Sequence, residues 1–444
     1  MIGSYQGSIL DRQTAAMSAK PGISFFVNDA RYIGAMEPRS IAIAGCGICG
    51  LATALLLARR GERVVLFERF ETPRPLGSGL MIQPTGLAVL AQLGLADRIQ
   101  REGARVDRLF GKAGDRVVLH VSYAAMARRD RFGIGIHRAS LFAALHDAVV
   151  AQGIEVRTNH IVLSSKIDNG GRVLICEDGK TSEPFDLVVD GLGTRSALAP
   201  PAGYELSYGA VWASLDWPED CGFDSLTLSQ RYHRSNKMAG VLPLGTSGGP
   251  RNRAAFFWSI KGEDLAAWHA GGLASWKQNV LALWPETAPF LAQITDPDQL
   301  TFARYAHRTL PRPIEERLIH IGDAWHSASP QLGQGANMAL LDAWALATGL
   351  SRHRAIAAGL AEAIALRRRH VQLYQWLTWL FTPVYQSDSR VLPFIRDRLV
   401  GPISKLWPAT AIQAFMVSGL IGNPLGTLDL EEHREAGEPQ WSAA

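Results

Sequence analysis

Four cysteines in 444 residues are too few for a disulfide framework. No stretch approaches the ~20 apolar residues that span a bilayer. The longest candidate, Ala409 to Gly422, is short, is interrupted by Gln413 and reads as a buried helix. The opening residues lack the charged-then-apolar order of a secretory leader, so a cytoplasmic location is the expectation. Charged residues make up only 19% of the chain and the net charge is +4. No Lys/Arg block is dense enough for a nucleic-acid surface. The run Arg367–Arg369 falls in a helical pattern and is expected on a solvated face. There is no internal repeat, no low-complexity segment and no ligand spacing that points to a metal.

What is present is a 47% hydrophobic chain, long enough for two domains and a large core. Residues 1–36 show no period and are expected to be a poorly ordered extension; Met36, directly before the first strong element, could be the natural start. Residues 37–204 carry strand–helix alternation, with a hairpin-like pair near 105–122. Residues 205–300 are richer in strand-like runs and predict a second, more antiparallel sheet. A parallel-sheet style returns over 301–350. Helical pattern with proline breaks at Pro383, Pro393, Pro402 and Pro408 fills 351–430, and residues 431–444 form a polar tail expected to fray. The fold class that follows is α/β: a Rossmann-type domain, an interleaved mixed or antiparallel-sheet domain and a C-terminal helical region.

The first strong element is Ile41-Ala42-Ile43-Ala44, a short buried strand. Gly45-Cys46-Gly47-Ile48-Cys49-Gly50 follows, then a helix from Leu51 to Arg60 stopped by Gly61, then the strand Arg63–Phe67 ending at Glu68. Strand, tight turn, helix and strand within about 30 residues make a βαβ unit. Gly45 permits the turn, Gly47 lets backbone N–H groups approach a diphosphate, and Gly50 lets helix and strand pack closely. Glu68 stands where a carboxylate reads ribose hydroxyls, with Arg69 beside it. The loop also spells a CxxC, Cys46 to Cys49. A thiol–disulfide centre belongs to a different fold, so these are read as small residues in tight space, with Cys49 part of the dinucleotide loop.

Far downstream stands Gly322-Asp323-Ala324-Trp325-His326-Ser327-Ala328-Ser329-Pro330, continuing Gln331-Leu332-Gly333-Gln334-Gly335-Ala336-Asn337 and ending at Asp342-Ala343. A carboxylate at a strand end, followed by a Pro/Gly loop that feeds a helix, makes a cradle beside a helix dipole. This run resembles the GDAxHxxxPxxGQGxNxAxxDA motif of the single-component FAD-dependent aromatic hydroxylases, the para-hydroxybenzoate hydroxylase-like monooxygenases, at every specified position. The resemblance implies that Asp323 meets the FAD ribityl chain. It implies that Pro330, Gly333 and the N–H groups of Gly335, Ala336 and Asn337 surround the flavin ring. Pro75 to Pro84 looks like the strand that passes the ring, and Leu90 to Leu95 like the family's LxxLGL. Ile136-His137-Arg138-Ala139-Ser140-Leu141 resembles its hRxxL element, whose arginine, Arg138 here, approaches FAD.

The activity so implied is NAD(P)H- and O2-dependent hydroxylation or epoxidation of an aromatic or other electron-rich small molecule through a flavin C4a-hydroperoxide. A base or relay would assist a phenol; Tyr232, His233 and His326 are the candidates. Trp212, Phe256, Phe257 and Trp258 are candidates for an apolar pocket, and Trp325 for a flavin or substrate contact. The family's middle motif VGADGTRSALR is met by Val189-Asp190-Gly191-Leu192-Gly193-Thr194-Arg195-Ser196-Ala197-Leu198-Ala199, with Leu192 in place of the acid and Ala199 in place of the base. Loss of both predicts a less ordered turn and weak or substrate-gated reduction by the nicotinamide. A flavin-dependent halogenase, of which Trp258-Ser259-Ile260-Lys261 is a partial signature, a non-oxygenase flavin reductase or dehydrogenase, and a catalytically weakened flavin-binding protein are the alternatives. Substrate identity, NADH against NADPH and oligomeric state are left open.

Overall fold

The computed structural model describes residues 37–73, 78–128, 130–400 and 406–433. The expected extension 1–36, the segment Pro75–Gly77, the break at Pro402 and the tail beyond 433 lie outside the described residues. Strand Ser40–Ala44 is central in a six-stranded sheet. Arg63–Phe67 and Glu155–Arg157 lie on one side of it, and Leu187–Asp190, Leu318–His320 and Ile314–Glu315 on the other. All neighbours are parallel except the edge pair Ile314–Glu315 with Leu318–His320. The apolar runs of these strands follow from burial on both faces. Ile41 and Ile43 pack with the helices Ile48–Ala58, Arg138–Ala151 and Gly335–Arg352. Ala42 and Ala44 face the antiparallel pair Val162–Asp168 and Gly171–Cys176 through Val162, Leu174 and Phe185.

The chain runs outward in one direction from Ser40–Ala44 and later returns on its other side at Leu187–Asp190. The crevice between Ala44 and Asp190 is therefore the topological switch point, where open α/β sheets bind ligands. Gly191 N–H donates to the carbonyl of Ala44 (2.9 Å) and closes the sheet there.

The turn after Asp190 is ordered although Leu192 stands in place of the expected acid. Asp190 is fully buried. Its Oδ1 accepts the Leu192 N–H (3.0 Å), and its Oδ2 accepts the Ser196 hydroxyl (2.6 Å) and His320 Nδ1–H (2.6 Å). Arg308 donates to the carbonyls of Thr194 (2.8 Å) and Pro200 (3.0 Å). An acid two residues upstream and an arginine from a distant strand order the turn, while Leu192 packs against the sheet.

The second sheet has seven strands: Thr301–Ala303, Tyr208–Asp216, Arg253–Lys261, Lys237–Gly245, Thr227–His233, Arg108–Ala113 and Arg116–Ser122. It is antiparallel except for Thr227–His233 against Arg108–Ala113. The hairpin read near 105–122 thus forms its edge. Alternation splits its residues by face. Phe256 and Trp258 pack with Trp276 and Trp284 beneath helix Leu265–Leu283. Phe257, Met238, Leu242 and Tyr232 pack on the other face, with Met81 and Val417.

At the C-terminal end, helix Ile356–Tyr385 packs along helix Gly335–Arg352. The solvated-face reading holds for Arg368 and Arg369, which are exposed, and fails for Arg367, which is buried at 1% exposure. The helix expected from Ala409 ends at Val417; it buries Ala414, Met416 and Val417 but leaves Ile412 57% exposed. Glu432, in the tail expected to fray, is held by Arg131 (2.6 Å) and Arg128 (3.0 Å).

Asp190→Ala is expected to destabilise the protein by about 3 kcal/mol or more, since it strands His320, Ser196 and a backbone N–H in the interior. Chemical denaturation measures it, and Asp190→Asn, which keeps part of the bonding, should recover some of the loss. A change below about 1 kcal/mol in the alanine variant would contradict the role given to this carboxylate.

Candidate functional site

The glycine loop sits at the switch point because only glycine fits there. Gly45 has φ +103°, and a Cβ on it would lie 2.6 Å from the Gly191 carbonyl oxygen. A Cβ on Gly50 would fall 2.0 Å from the Gly45 oxygen, so the helix start and the strand end touch backbone to backbone. Gly47 differs: it is exposed, and a Cβ there would meet nothing within 4 Å. The space in front of Gly47 is therefore open. Gly47 caps helix Ile48–Ala58 without any side-chain bond, leaving first-turn N–H groups directed at that space.

Glu68 closes one side of the loop. It is 9% exposed, and its two oxygens accept the N–H groups of Cys46 and Phe70, each at 3.0 Å. Arg69 points to solvent, its guanidinium 4.6 Å from the Phe70 ring centroid. Both loop cysteines are unsuited to thiol chemistry. Burial, with Glu68 nearby, pushes Cys46 up to about 12, and burial drives Cys49 well above the usual thiol range. The Cys49 thiol faces the Ala339 carbonyl (3.6 Å), so only its backbone faces the loop opening.

The second cradle lies where strand Leu318–His320 ends. Asp323 is half-buried and makes no hydrogen bond among the described residues. Burial raises its pKa, with the positive charges of Arg138 and His326 opposing the rise. An acid held there without a donor is unfavourable unless a hydroxyl-bearing ligand supplies one. Arg138 starts helix Arg138–Ala151 with its side chain exposed. Pro330 is exposed at the head of a short turn that ends on Gly333 in the left-handed region (φ +63°). Gly335 and Ala336 begin helix Gly335–Arg352, again with no side-chain cap, and a Cβ on Gly335 would meet open space.

Asn337 plays a part that the motif did not disclose. It is fully buried; its Oδ1 accepts the Gln83 N–H (2.8 Å), and its Nδ2 donates to the carbonyls of Met81 (3.1 Å) and Gly333 (3.0 Å). It thus ties the strand Gly79–Ile82 to the Gly333 loop. Gln83 in turn accepts from the buried Tyr123 hydroxyl.

Beneath the Gly322–Asp323 turn runs a buried network that sequence reasoning missed. Asp342 Oδ2 accepts the Gly322 N–H (3.0 Å) and His326 Nε2–H (2.6 Å), and its Oδ1 accepts Arg367 Nε–H (2.8 Å). Arg367 Nη1 donates to His370 Nδ1 (2.9 Å), and His370 Nε2–H donates to the Gly419 carbonyl (3.0 Å). Arg367 Nη1 finds an acceptor in His370 only if that ring is neutral, while Arg367 Nη2 is buried without a partner among the described residues. Burial first, and the neighbouring Arg367 second, bring the His370 pKa down to about 3. His326 and Arg367 together hold Asp342 down at about 2 against the opposing effect of burial.

The remaining candidates separate. Tyr232 is buried on the aromatic sheet face and donates to Gln230 Oε1 (3.0 Å); burial pushes its pKa well up. His233 is exposed at the turn, opposite Lys237. Trp212 stacks on Phe257 (centroids 4.6 Å apart) and donates to the Tyr305 hydroxyl (3.1 Å). Phe256 and Trp258 face the opposite side and are core. Trp325 is buried, edge-on to His326 at 5.0 Å. Among the described residues, no group of three or more His, Cys, Asp or Glu could hold a metal ion.

The network sets a pH dependence. His370 stays neutral in the folded protein and titrates near 6.5 when unfolded. Stability is full above about pH 6.5 and falls as pH drops toward 3, because only the unfolded chain takes the proton. His370→Gln should flatten that acid limb in melting temperatures recorded from pH 4.5 to 8, leaving a residual slope from His137 and His307, whose pKa values burial also lowers. An unchanged slope would show that His370 is not the group refusing the proton.

Two open cradles, one at each carboxyl-end turn, offer donors and an acid of the kind that a dinucleotide needs. The orphaned acid at Asp323, the open face at Gly47 and the two uncapped helix starts fit FAD. The FAD binding domain family matches residues 39–372. The 3-hydroxybenzoate 6-hydroxylase of Klebsiella oxytoca is 27% identical over 329 residues, 70% of this chain and 79% of its own. The aurachin C monooxygenase/isomerase of Stigmatella aurantiaca is 24% identical over 383 residues, 82% of this chain and 94% of its own. Among solved structures, 2-methyl-3-hydroxypyridine-5-carboxylic acid oxygenase superposes with a TM-score of 0.71 at 19% identity, covering 88% of this chain and 98% of its own. HpxO of Klebsiella pneumoniae, complexed with FAD, gives 0.71 at 20% identity over 86% and 100% of the two chains. At those identities the structures speak for the fold, and the family match over three quarters of the chain speaks for FAD binding. The chain belongs to the FAD-dependent flavoprotein monooxygenases that hydroxylate aromatic compounds.

Proposed function

We infer that this monooxygenase acts on a neutral, largely apolar aromatic compound lying against the Trp212–Phe257 face of the seven-stranded sheet. The observation that carries this reading is the state of the cations on that face. Strand register puts Arg253, Phe257 and Lys261 on one side, opposite Asp216, Trp212 and Tyr208. Arg253 is held by the carbonyls of Leu215 and Ser214 (3.2 Å each) and by Asp216 (3.4 Å), which it shares with Arg251, and Lys261 is matched by Asp388 (2.8 Å). Arg396, buried against the rings of Tyr232 and Tyr385, is matched by Asp397 (2.7 Å) and by the carbonyls of Val384 and Arg234. A carboxylate-bearing ring would have to displace one of these acids or bury its charge unpaired.

Bound FAD supplies the redox chemistry, taking hydride from NAD(P)H and activating O2 for transfer of one oxygen atom. The chain's own residues bind, orient and shield. The first-turn N–H groups after Gly47 would take the diphosphate, Glu68, which already holds the Cys46 N–H, would take a ribose, and Asp323 the polyol hydroxyls, with Arg138 near it. The first N–H groups of helix Gly335–Arg352 would face the ring's polar edge, where the dipole would favour negative charge. Met81 joins this cradle to the aromatic face: it packs with Phe257, and its Cβ lies 4.0 Å from the Cβ position of Gly333. Tyr232, protonated at any working pH, serves as wall. His326, its Nε2–H given to Asp342, serves as a positioning residue. His233, solvent-exposed, is given no part.

Asp323→Ala is expected to weaken FAD binding at least about tenfold, since a charge-assisted hydrogen bond is worth roughly 1.5–3 kcal/mol. Its apoprotein should melt like the wild type. Fluorescence titration of the apoprotein with FAD measures this, and unchanged affinity would remove Asp323 from the cradle.

The substrate reading is tested by flavin absorbance perturbation with matched pairs, a phenol or hydroxyquinoline against the corresponding hydroxy-carboxylic acid. Neutral members should bind at least ~10-fold tighter, and Trp212→Ala should erase most of that binding. Tighter binding of the acids would sink it.

A further inference from the structure

We propose that the C-terminal helical edge formed by residues 368–398 and 406–412 docks on an anionic lipid bilayer surface. Most of the exposed large apolar side chains among the described residues fall in this stretch. They include Trp376, Trp379 and Trp407, at 55%, 57% and 83% exposure. Monomeric proteins rarely leave such apolar surface clustered without a use for it.

The arrangement is amphipathic by position. On helix Ile356–Tyr385, Tyr374, Leu377, Thr378 and Thr382 face inward. Trp376, Trp379 and Leu380 occupy the outward stripe at spacing i, i+3, i+4. One to two turns earlier that stripe carries Arg368 and Arg369, both exposed. Helix Val391–Ile395 packs against the long helix and repeats the pattern with Val391 and Phe394 exposed. Arg390 precedes that helix and Arg398 follows it, both exposed.

Charge selects the occupant. Arg368, Arg369, Arg390 and Arg398 make no ion pair among the described residues. The two acids nearby are already engaged, Asp388 by Lys261 (2.8 Å) and Asp397 by Arg396 (2.7 Å). The uncompensated charge around the apolar stripe is therefore positive. A two-fold contact with a second copy would set arginine against arginine. An anionic headgroup layer pairs with the arginines and receives the indoles at its boundary, where tryptophan is enriched. No described helix is long and apolar enough to cross a membrane, so the surface would lie on the bilayer rather than in it.

The test uses the full-length, FAD-loaded protein in co-sedimentation with vesicles of phosphatidylcholine alone or with about one third phosphatidylglycerol. Binding to the anionic vesicles should exceed binding to the neutral ones by at least ~10-fold, fall on raising salt, and blue-shift the tryptophan emission. Trp376→Ser with Trp379→Ser, and separately Arg368→Glu with Arg369→Glu, should each abolish it while leaving flavin content and turnover unchanged. Absence of binding by the wild type, or equal binding by the charge-reversed variant, overturns the proposal. A concentration-dependent dimer that the serine variant loses, without vesicle binding, assigns the surface to a second copy instead.

Discussion

The Gly-Asp turn proposed to cradle the cofactor hangs on one carboxylate. Asp342 is buried in the helix that follows the Gly-Asp turn, and it accepts hydrogen bonds from a backbone N–H, a histidine and an arginine at once. An isolated charge in that position would be prohibitive, and Arg367 makes it tolerable by bringing the opposite charge into the same dry space. With Asp342 ionised and fixed, Gly322 is pinned, and the next residue, Asp323, is presented at the strand end. The neutral His370 extends the chain of bonds to Gly419, so the last helices are coupled to the turn. Removal of any one partner leaves the others buried and unmatched, which makes the network rigid rather than merely attractive.

A second buried acid does the same work at the neighbouring turn. Asp190 holds the loop after Leu187–Asp190 through Leu192, Ser196 and His320. His320 and the Gly322 turn lie on the same strand and its exit, so the two acids brace adjacent strand ends of one sheet. On the other side of the Asp190 turn lies the switch-point crevice, where Gly45, Gly50 and Gly191 let three backbone segments approach within hydrogen-bonding distance. Rigid turns around an open crevice are what a cofactor site needs, because a loose cradle would have to be ordered at the expense of binding.

The seven-stranded sheet gives the site its other wall. Period-2 alternation sends Phe256 and Trp258 into one core and Phe257 toward the cradle side. A Cβ on Gly240 would meet the Phe257 ring at 2.0 Å, so this glycine leaves the room that the ring occupies. Arg253, Lys261 and Arg396 on this face are engaged by the protein's own acids and carbonyls, and Trp212 and Phe257 lie between them.

The sequence by itself determined the parts whose physics is local. Glycine spacing between an apolar strand and a helix fixes the loop at Gly45–Gly50, an acid at the next strand end fixes Glu68, and the Gly-Asp run fixes the second turn. Alternating apolar runs revealed most of the second sheet, although Lys237–Gly245 escaped because Pro243 and its glycines dilute the strand signal. What only the tertiary structure decided depends on partners far apart in the chain. Arg367 reads as one of three solvated arginines until Asp342 is placed beside it, 25 residues away. Leu192 and Ala199 read as losses until Asp190 and Arg308, the latter from a strand more than a hundred residues on, are seen holding the turn. Charges and hydrogen bonds act through space at a few ångströms, and sequence separation carries no record of that distance.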